Sequence, residues 1–140
     1  MVRLAYLITG SAAVGEEVAH DAFVAVYERW GRLDDPGPYL RRCVVNAAIR
    51  SKARRRRGDE LSLVAAGPDV TRPGAGTGPE PFDHTLDAVG RLAPRARALV
   101  VLRYYDQLSM EEIADVLQIP TGTVKSGLHR ALAQLREVLA

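Results

Sequence analysis

Apolar residues along this chain recur at spacings of three and four almost throughout, and the two-residue alternation of strands is nearly absent. Spacing of three and four gathers side chains on one face of a helix, so the pattern predicts an all-α protein. Residues 3–8 read as the end of a helix stopped at Thr9-Gly10. Ser11 is placed to cap a second helix that runs to about Trp30. Val14, Val18, Ala22, Val26 and Trp30 form its apolar stripe, widened by Phe23 and Tyr27. The stretch "GRLDDPGP" breaks the pattern, because Gly31, Pro36, Gly37 and Pro38 favour a loop over a helix. A third helix is expected from Tyr39 to about Arg57, with Leu40, Val44 and Ala47 or Ala48 on one side. Arg41, Arg42, Arg50 and Arg54 lie largely on its other faces.

Residues 58–82 hold five glycines and four prolines, a composition that does not pack a core and reads as a flexible tether. A tether of that length argues for two small helical domains, 1–57 and 83–140, on either side of it. Four helical segments follow, at about 83–92, 94–106, 109–117 and 121–138. Pro94 suits a first helical turn, and Ser109 with Glu112 three residues on forms a capping-box pattern.

Charge refines this picture. The net charge is only +2, with 47% hydrophobic and 26% charged residues, so bulk composition is that of an ordinary globular protein. The distribution is more telling. From Pro36 to Gly58 there is no acidic residue, yet eight of the nineteen Lys and Arg lie there. Such a stripe is an electrostatic footprint for phosphate, the plainer alternative being a solvated helix face. The single cysteine, Cys43, is flanked by apolar residues and reads as a small buried hydrophobe; no Cys/His cluster has metal spacing, and no cofactor is implied. His20, His84 and His129 lack a nucleophile partner, and no Gly-rich phosphate loop is present, which argues against an enzyme. No signal peptide is recognisable and no apolar run reaches the ~20 residues of a membrane span, so the chain reads as cytoplasmic.

The string "SMEEIADVLQIPTGTVKSGLHRA" fits a helix-turn-helix. Ile113, Leu117, Ile119, Val124 and Leu128 are apolar where two crossed helices share a core, and Ala114 is small where they approach. Gln118 stands in the turn, where many such motifs carry glycine, and has to adopt a positive φ there. Thr121 is placed to cap the second helix, and Thr123, Lys125, Ser126, His129 and Arg130 then face outward. That is a set of donors and charges suited to the major groove. A plain helical hairpin with a polar outer face is the competing reading.

Two blocks of the chain resemble one known family. "LRYYDQLSMEEIADVLQIPTGTVKSGLHRALAQLR" is similar to the promoter −35-binding domain, sigma domain four, of extracytoplasmic-function (ECF) sigma factors. "GEEVAHDAFVAVYERWGRLDDPGPYLRRCVVNAAIRSKARRRR" is similar to sigma domain two, and the order and linker also fit. The resemblance implies a non-enzymatic specificity subunit whose partners are core RNA polymerase (β′ clamp and β flap), promoter DNA and, in many members, an anti-sigma factor. It implies that Glu17, His20, Asp21 and Val24 face the clamp, His20 standing where a glutamine is common. It places the −10 element against Asp34, Tyr39 and Asn46, with Arg41, Arg42, Arg50 and Arg54 on phosphates. An amide that satisfies the core or a cap is the rival role for Asn46. It places −35 duplex against Thr121, Thr123, Lys125, Ser126, His129 and Arg130. Gly127 replaces the arginine usual in this family, which makes it an expected gap in the DNA face, to be filled by Gly127→Arg. A stand-alone helix-turn-helix regulator and a sigma-like decoy with weakened DNA binding are the alternatives.

Overall fold

The computed structural model describes residues 1–62 and 81–139, and every regular element among them is helical. Helices α1 (Val2–Thr9), α2 (Ala12–Glu28) and α3 (Pro36–Ser62) form a first group. Helices α4 (Pro81–Gly90), α5 (Pro94–Val100), α6 (Met110–Leu117) and α7 (Thr121–Leu139) form a second.

Local chemistry explains most of the boundaries. Gly10 ends α1 in the left-handed region at φ 76°, and its amide donates to the Tyr6 carbonyl over 2.7 Å. The positive φ suits glycine because no Cβ opposes it. Ser11 is extended, and its hydroxyl accepts the Val14 amide at 3.3 Å, so α2 starts where a side-chain cap is available. Ser109 and Glu112 close both halves of a capping box at 3.1 Å each. Pro94 occupies the first turn of α5, where the missing amide costs nothing.

Four expectations are corrected. The prolines read as a loop, Pro36 and Pro38, open α3 instead, because the first turn needs no amide from either. The helix then continues to Ser62, into the stretch read as a tether; positions 63–80 of that stretch lie outside the described residues. The segment expected as one helix over 94–106 is α-helical only to Val100, and Val101–Tyr105 form a π turn in which the Asp106 amide reaches back to the Val101 carbonyl at 3.1 Å. Trp30, Phe23 and Tyr27 do not join the core: Trp30 lies in a short 3₁₀ turn (Trp30–Arg32) at 61% exposure, and Tyr27 is 81% exposed. The buried face of α2 is carried by Val18, Ala19, Ala22 and Val26.

The two groups are packed against each other. One apolar cluster runs from Leu4, Ile8, Val44 and Val45 of the first group to Leu102, Ile113 and Val124 of the second. Helix α3 lies on α5 and α6, and α1 lies on α5 and the π turn. A fully buried aliphatic side chain contributes about 1.5–3 kcal/mol, against about 0–1 kcal/mol for an exposed ion pair, so apolar burial dominates the stability of this arrangement.

One polar group sits inside it. Arg97 of α5 is 6% exposed and donates from Nε to the Leu7 carbonyl of α1 over 2.6 Å. Its guanidinium lies against Gly10, just beyond the C-terminal end of α1. That position places a cation where unpaired helix carbonyls concentrate negative charge. Burial lowers the Arg97 pKa from its ordinary value, opposed by the charge of Tyr6; arginine nevertheless keeps its proton.

Candidate nucleic-acid interface

Helices α6 and α7 cross as a helix-turn-helix. Gln118 ends α6 at φ 55°, ψ 49°, and the Ile119 amide that follows donates to the Ala114 carbonyl at 3.1 Å. The left-handed conformation demanded of Gln118 by its place in the turn is thus present. Its side chain offsets part of the strain by donating from Nε2 to the Asp115 carbonyl over 2.6 Å. Ile113, Leu117, Val124 and Leu128 are buried between the two helices.

The residue that precedes α7 is Pro120. Its carbonyl accepts the Val124 amide at 3.2 Å, the first full helical bond, so Pro120 holds the capping position and Thr121 is the first helical residue. This corrects the expected capping role of Thr121. The helix nonetheless presents Thr121, Thr123, Lys125, Ser126, His129 and Arg130 to solvent, all six exposed. Ser126 Oγ donates to the Thr123 carbonyl at 3.2 Å, which anchors the hydroxyl on its own helix.

Gly127 is not part of that surface. A Cβ at this position would stand 2.6 Å from Leu99 Cδ1, and Leu99 is buried in α5. A side chain at this position would point toward α5 and require the buried Leu99 tip to shift. The expected gap in the DNA face is therefore corrected to a close helix contact.

The second basic surface is α3. Tyr39, Arg42, Cys43, Asn46 and Arg50 line a cleft of about 370 Å³ together with Asp21 of α2. Tyr39 is held by Arg29, whose Nη1 donates to the phenol oxygen over 3.1 Å. Sequence reasoning missed Arg29, although it lies ten positions before Tyr39 across the connection between α2 and α3. Cys43 is half-buried beside the cleft. Asp34 lies exposed in the connection before α3, and Arg54 is exposed further along the helix.

Three of the α3 residues are engaged by the second group. Arg41 Nε stands 2.9 Å from Asp106 Oδ2, and Arg42 Nη2 reaches Asp115 at 3.3 and 3.4 Å. Asn46 Nδ2 donates to its own-helix Arg42 carbonyl at 2.9 Å and to the Val116 carbonyl of α6 at 3.1 Å. The rival reading of Asn46, an amide satisfying backbone, thus describes its bonds in this arrangement. The Arg41–Asp106 contact has ion-pair distance without hydrogen-bond direction: Arg41 Nε and Asp106 Oδ2 are both buried and neither makes a hydrogen bond. Arg42 Nε is buried without a partner too. Asp106 and Asp115 were not singled out from the sequence, since nothing local relates them to α3.

A third surface lies on α2. Glu17, His20, Asp21 and Val24 are all exposed. Beside them Phe23, Val24, Tyr27 and Trp30 leave a run of large apolar groups in solvent.

Known proteins carry the same two-part organisation. Sigma-70 region 2 matches residues 1–58, and Sigma-70, region 4 matches residues 85–135. The RNA polymerase sigma-E factor of Streptomyces avermitilis is 34% identical over 147 aligned positions, which cover 99% of this chain and 78% of that protein. The ECF RNA polymerase sigma factor SigW of Bacillus subtilis is 27% identical, with 98% and 81% covered. The fold matches the sigma factor RpoE from Bartonella quintana, solved in complex with the anti-sigma factor NepR, at a TM-score of 0.76 and 19% identity over 99% of this chain and 88% of that one. The chain belongs to the ECF sigma factors of RNA polymerase.

Proposed function

We propose that this sigma factor acts as a non-enzymatic specificity subunit in the cytoplasm, docking on core RNA polymerase and directing it to a two-part promoter. In this reading α1–α3 are the unit that grips polymerase and the −10 element, and α4–α7 the unit for −35 duplex and the β flap. The observation that carries it is the outward face of α7: six exposed polar or basic side chains on a helix seated by the α6–α7 turn, on the same chain as a basic helix with a cleft.

The chemistry divides naturally. Lys125, Ser126, His129 and Arg130 offer donors to base edges and phosphates of a major groove, with Thr121 and Thr123 near the helix start, where amides and dipole favour phosphate. On α3, Arg41, Arg42, Arg50 and Arg54 suit the backbone of an opened strand. Tyr39 and Asn46, at the cleft, suit an unstacked base, with Asp34 in the loop before them. The α2 surface around Glu17, His20, Asp21 and Val24, enlarged by Phe23, Tyr27 and Trp30, suits the β′ clamp. The acidic side chains give it polarity and the aromatics supply buried area. Holding two modest DNA contacts on one enzyme raises their effective concentration for each other. An anti-sigma factor is a further partner for these same surfaces.

Permanganate footprinting for strand opening, beside binding of −35 duplex, both with core polymerase on a promoter selected from a library, separates the roles. Lys125→Ala and Arg130→Ala weaken capture of −35 duplex, by on the order of 1–3 kcal/mol each where the contact is bidentate. Asn46→Ala leaves duplex capture intact and reduces strand opening. Loss of −35 capture in Asn46→Ala defeats this division of labour. Duplex binding that is equally tight without polymerase favours a stand-alone regulator.

A further inference from the structure

Helix α2 gives way at Arg29, whose backbone is fixed from both sides. The Arg29 amide donates to the Val26 carbonyl at 3.1 Å, and the Arg29 carbonyl accepts the Arg32 amide at 2.9 Å. Its side chain therefore starts from a defined point and spans the connection to the first turn of α3. There Nη1 donates to the Tyr39 phenol oxygen over 3.1 Å. Among the described residues no carboxylate forms an ion pair with Arg29, so the phenol is the partner the fold gives it.

The direction of that bond decides what Tyr39 can do. A guanidinium only donates, so the phenol oxygen is the acceptor and its own O–H is left to donate elsewhere. A charged donor on the oxygen also polarises the O–H and strengthens it as a donor. Tyr39 is half-buried and lines the cleft between α2 and α3 with Asn46 and Arg50. Bases carry their carbonyl oxygens and ring nitrogens at different places, so a donor held at one point distinguishes them.

We propose that Arg29 is a positioning residue for the opened −10 strand, holding Tyr39 at the α2–α3 cleft with its phenol O–H presented as a donor to an acceptor atom of an unstacked base. Arg29 acts on the base through Tyr39 and makes no contact with it. Without Arg29 the phenol O–H rotates freely and the oxygen accepts as readily as it donates, so the preference between bases falls. This rests on the assignment of Tyr39 to the opened strand.

The test uses holoenzyme assembled from core polymerase and the full chain. The promoters carry each of the four bases in turn at every −10 position, and a dye on the DNA beside the melted region follows the rate of opening. Tyr39→Phe is expected to slow opening about five-fold with the preferred base at one −10 position, the loss of one hydrogen bond, and much less with the other bases there. Arg29→Ala is expected to flatten the preference at that same position. Arg29→Ala/Tyr39→Phe is expected to open no more slowly than Tyr39→Phe, because the two residues act as one unit. Arg29→Lys keeps a charged donor and is expected to restore part of the preference. Arg29 is exposed, and a thermal melt checks that each variant is folded. Arg29→Ala with the wild-type preference overturns the positioning role and leaves Tyr39 on the strand. So does an Arg29→Ala loss that is equal for all four bases, or one that persists in full beside Tyr39→Phe. Opening by Tyr39→Ala at the wild-type rate on every promoter overturns the assignment of Tyr39 to the strand, and the positioning role with it.

Discussion

Helices α3 and α7 both carry basic side chains suited to DNA, and they meet solvent differently. On α7 the side chains suited to DNA are all exposed, and the polar bonds they make, such as Ser126 to Thr123, stay within the helix. On α3, Arg50 and Arg54 are exposed but Tyr39, Arg41, Arg42 and Asn46 are half-buried, and the last three reach across to α6 and the turn before it. Similar composition therefore produces one open surface and one covered surface. Charge along a sequence indicates which helices favour phosphate. Tertiary packing decides which of them is available.

The contrast is broken most severely at the joint between the groups. Arg97→Ala removes a buried bond to the Leu7 carbonyl and the packing of a whole side chain beside Gly10. A loss of about 3 kcal/mol in thermal or denaturant unfolding is expected, the upper end for a hydrogen bond to a charged group. Cover over α3 should weaken with it, seen as faster amide exchange across 39–50. A melt unchanged from wild type would mean the Leu7 carbonyl is satisfied without Arg97.

Gly127→Arg attacks the other side of the comparison. A side chain there meets Leu99 Cδ1, which has to shift within the core to admit it. The expected cost is about 1–3 kcal/mol of stability, as for overpacked sites, and duplex binding falls with it. Tighter duplex binding with a steeper salt dependence would instead put position 127 on the DNA and restore the expectation drawn from the sequence.

The smallest effect concerns α6, which serves both surfaces. Ser109→Ala removes the hydroxyl that caps the helix and costs about 1 kcal/mol in stability. The same box titrates. Glu112 accepts the Ser109 amide, and that bond, then the Ser109 hydroxyl and the charge of Arg41, hold its carboxyl below the usual carboxylate range while burial opposes them. A depressed folded-state pKa means the contribution is fully present above the ordinary carboxylate pKa. It is lost as pH falls through the lower folded value. Wild type should therefore lose slightly more stability on acidification than Glu112→Gln. Parallel pH profiles for the two proteins would contradict this.

Much of the fold was legible because it rests on local signals. Ser11, Gly10, Pro94, the Ser109–Glu112 box and the strained Gln118 each act within four residues, and each is present as read. The outward set on α7 was legible for the same reason: helical phase relative to Val124 and Leu128 fixes it. What failed was coverage. Phe23, Tyr27 and Trp30 have the spacing of core residues, but among the described residues no element packs over them. Pro36 and Pro38 carry the composition of a loop, yet the first turn of a helix tolerates both. Gly127 reads as a missing side chain because Leu99, the group such a side chain would meet, lies in another helix. Nor does local pattern pair Asp106 and Asp115 with arginines seventy or so positions earlier, since that depends on how the two groups dock.

Multi-round run-off transcription with core polymerase over a promoter library tests the sigma role most directly. Promoter-specific transcripts are expected only when this protein is added, reduced by Lys125→Ala through promoter choice and by Asn46→Ala through opening. Transcription no higher than that of core polymerase alone, with the added protein shown to be folded, would contradict it.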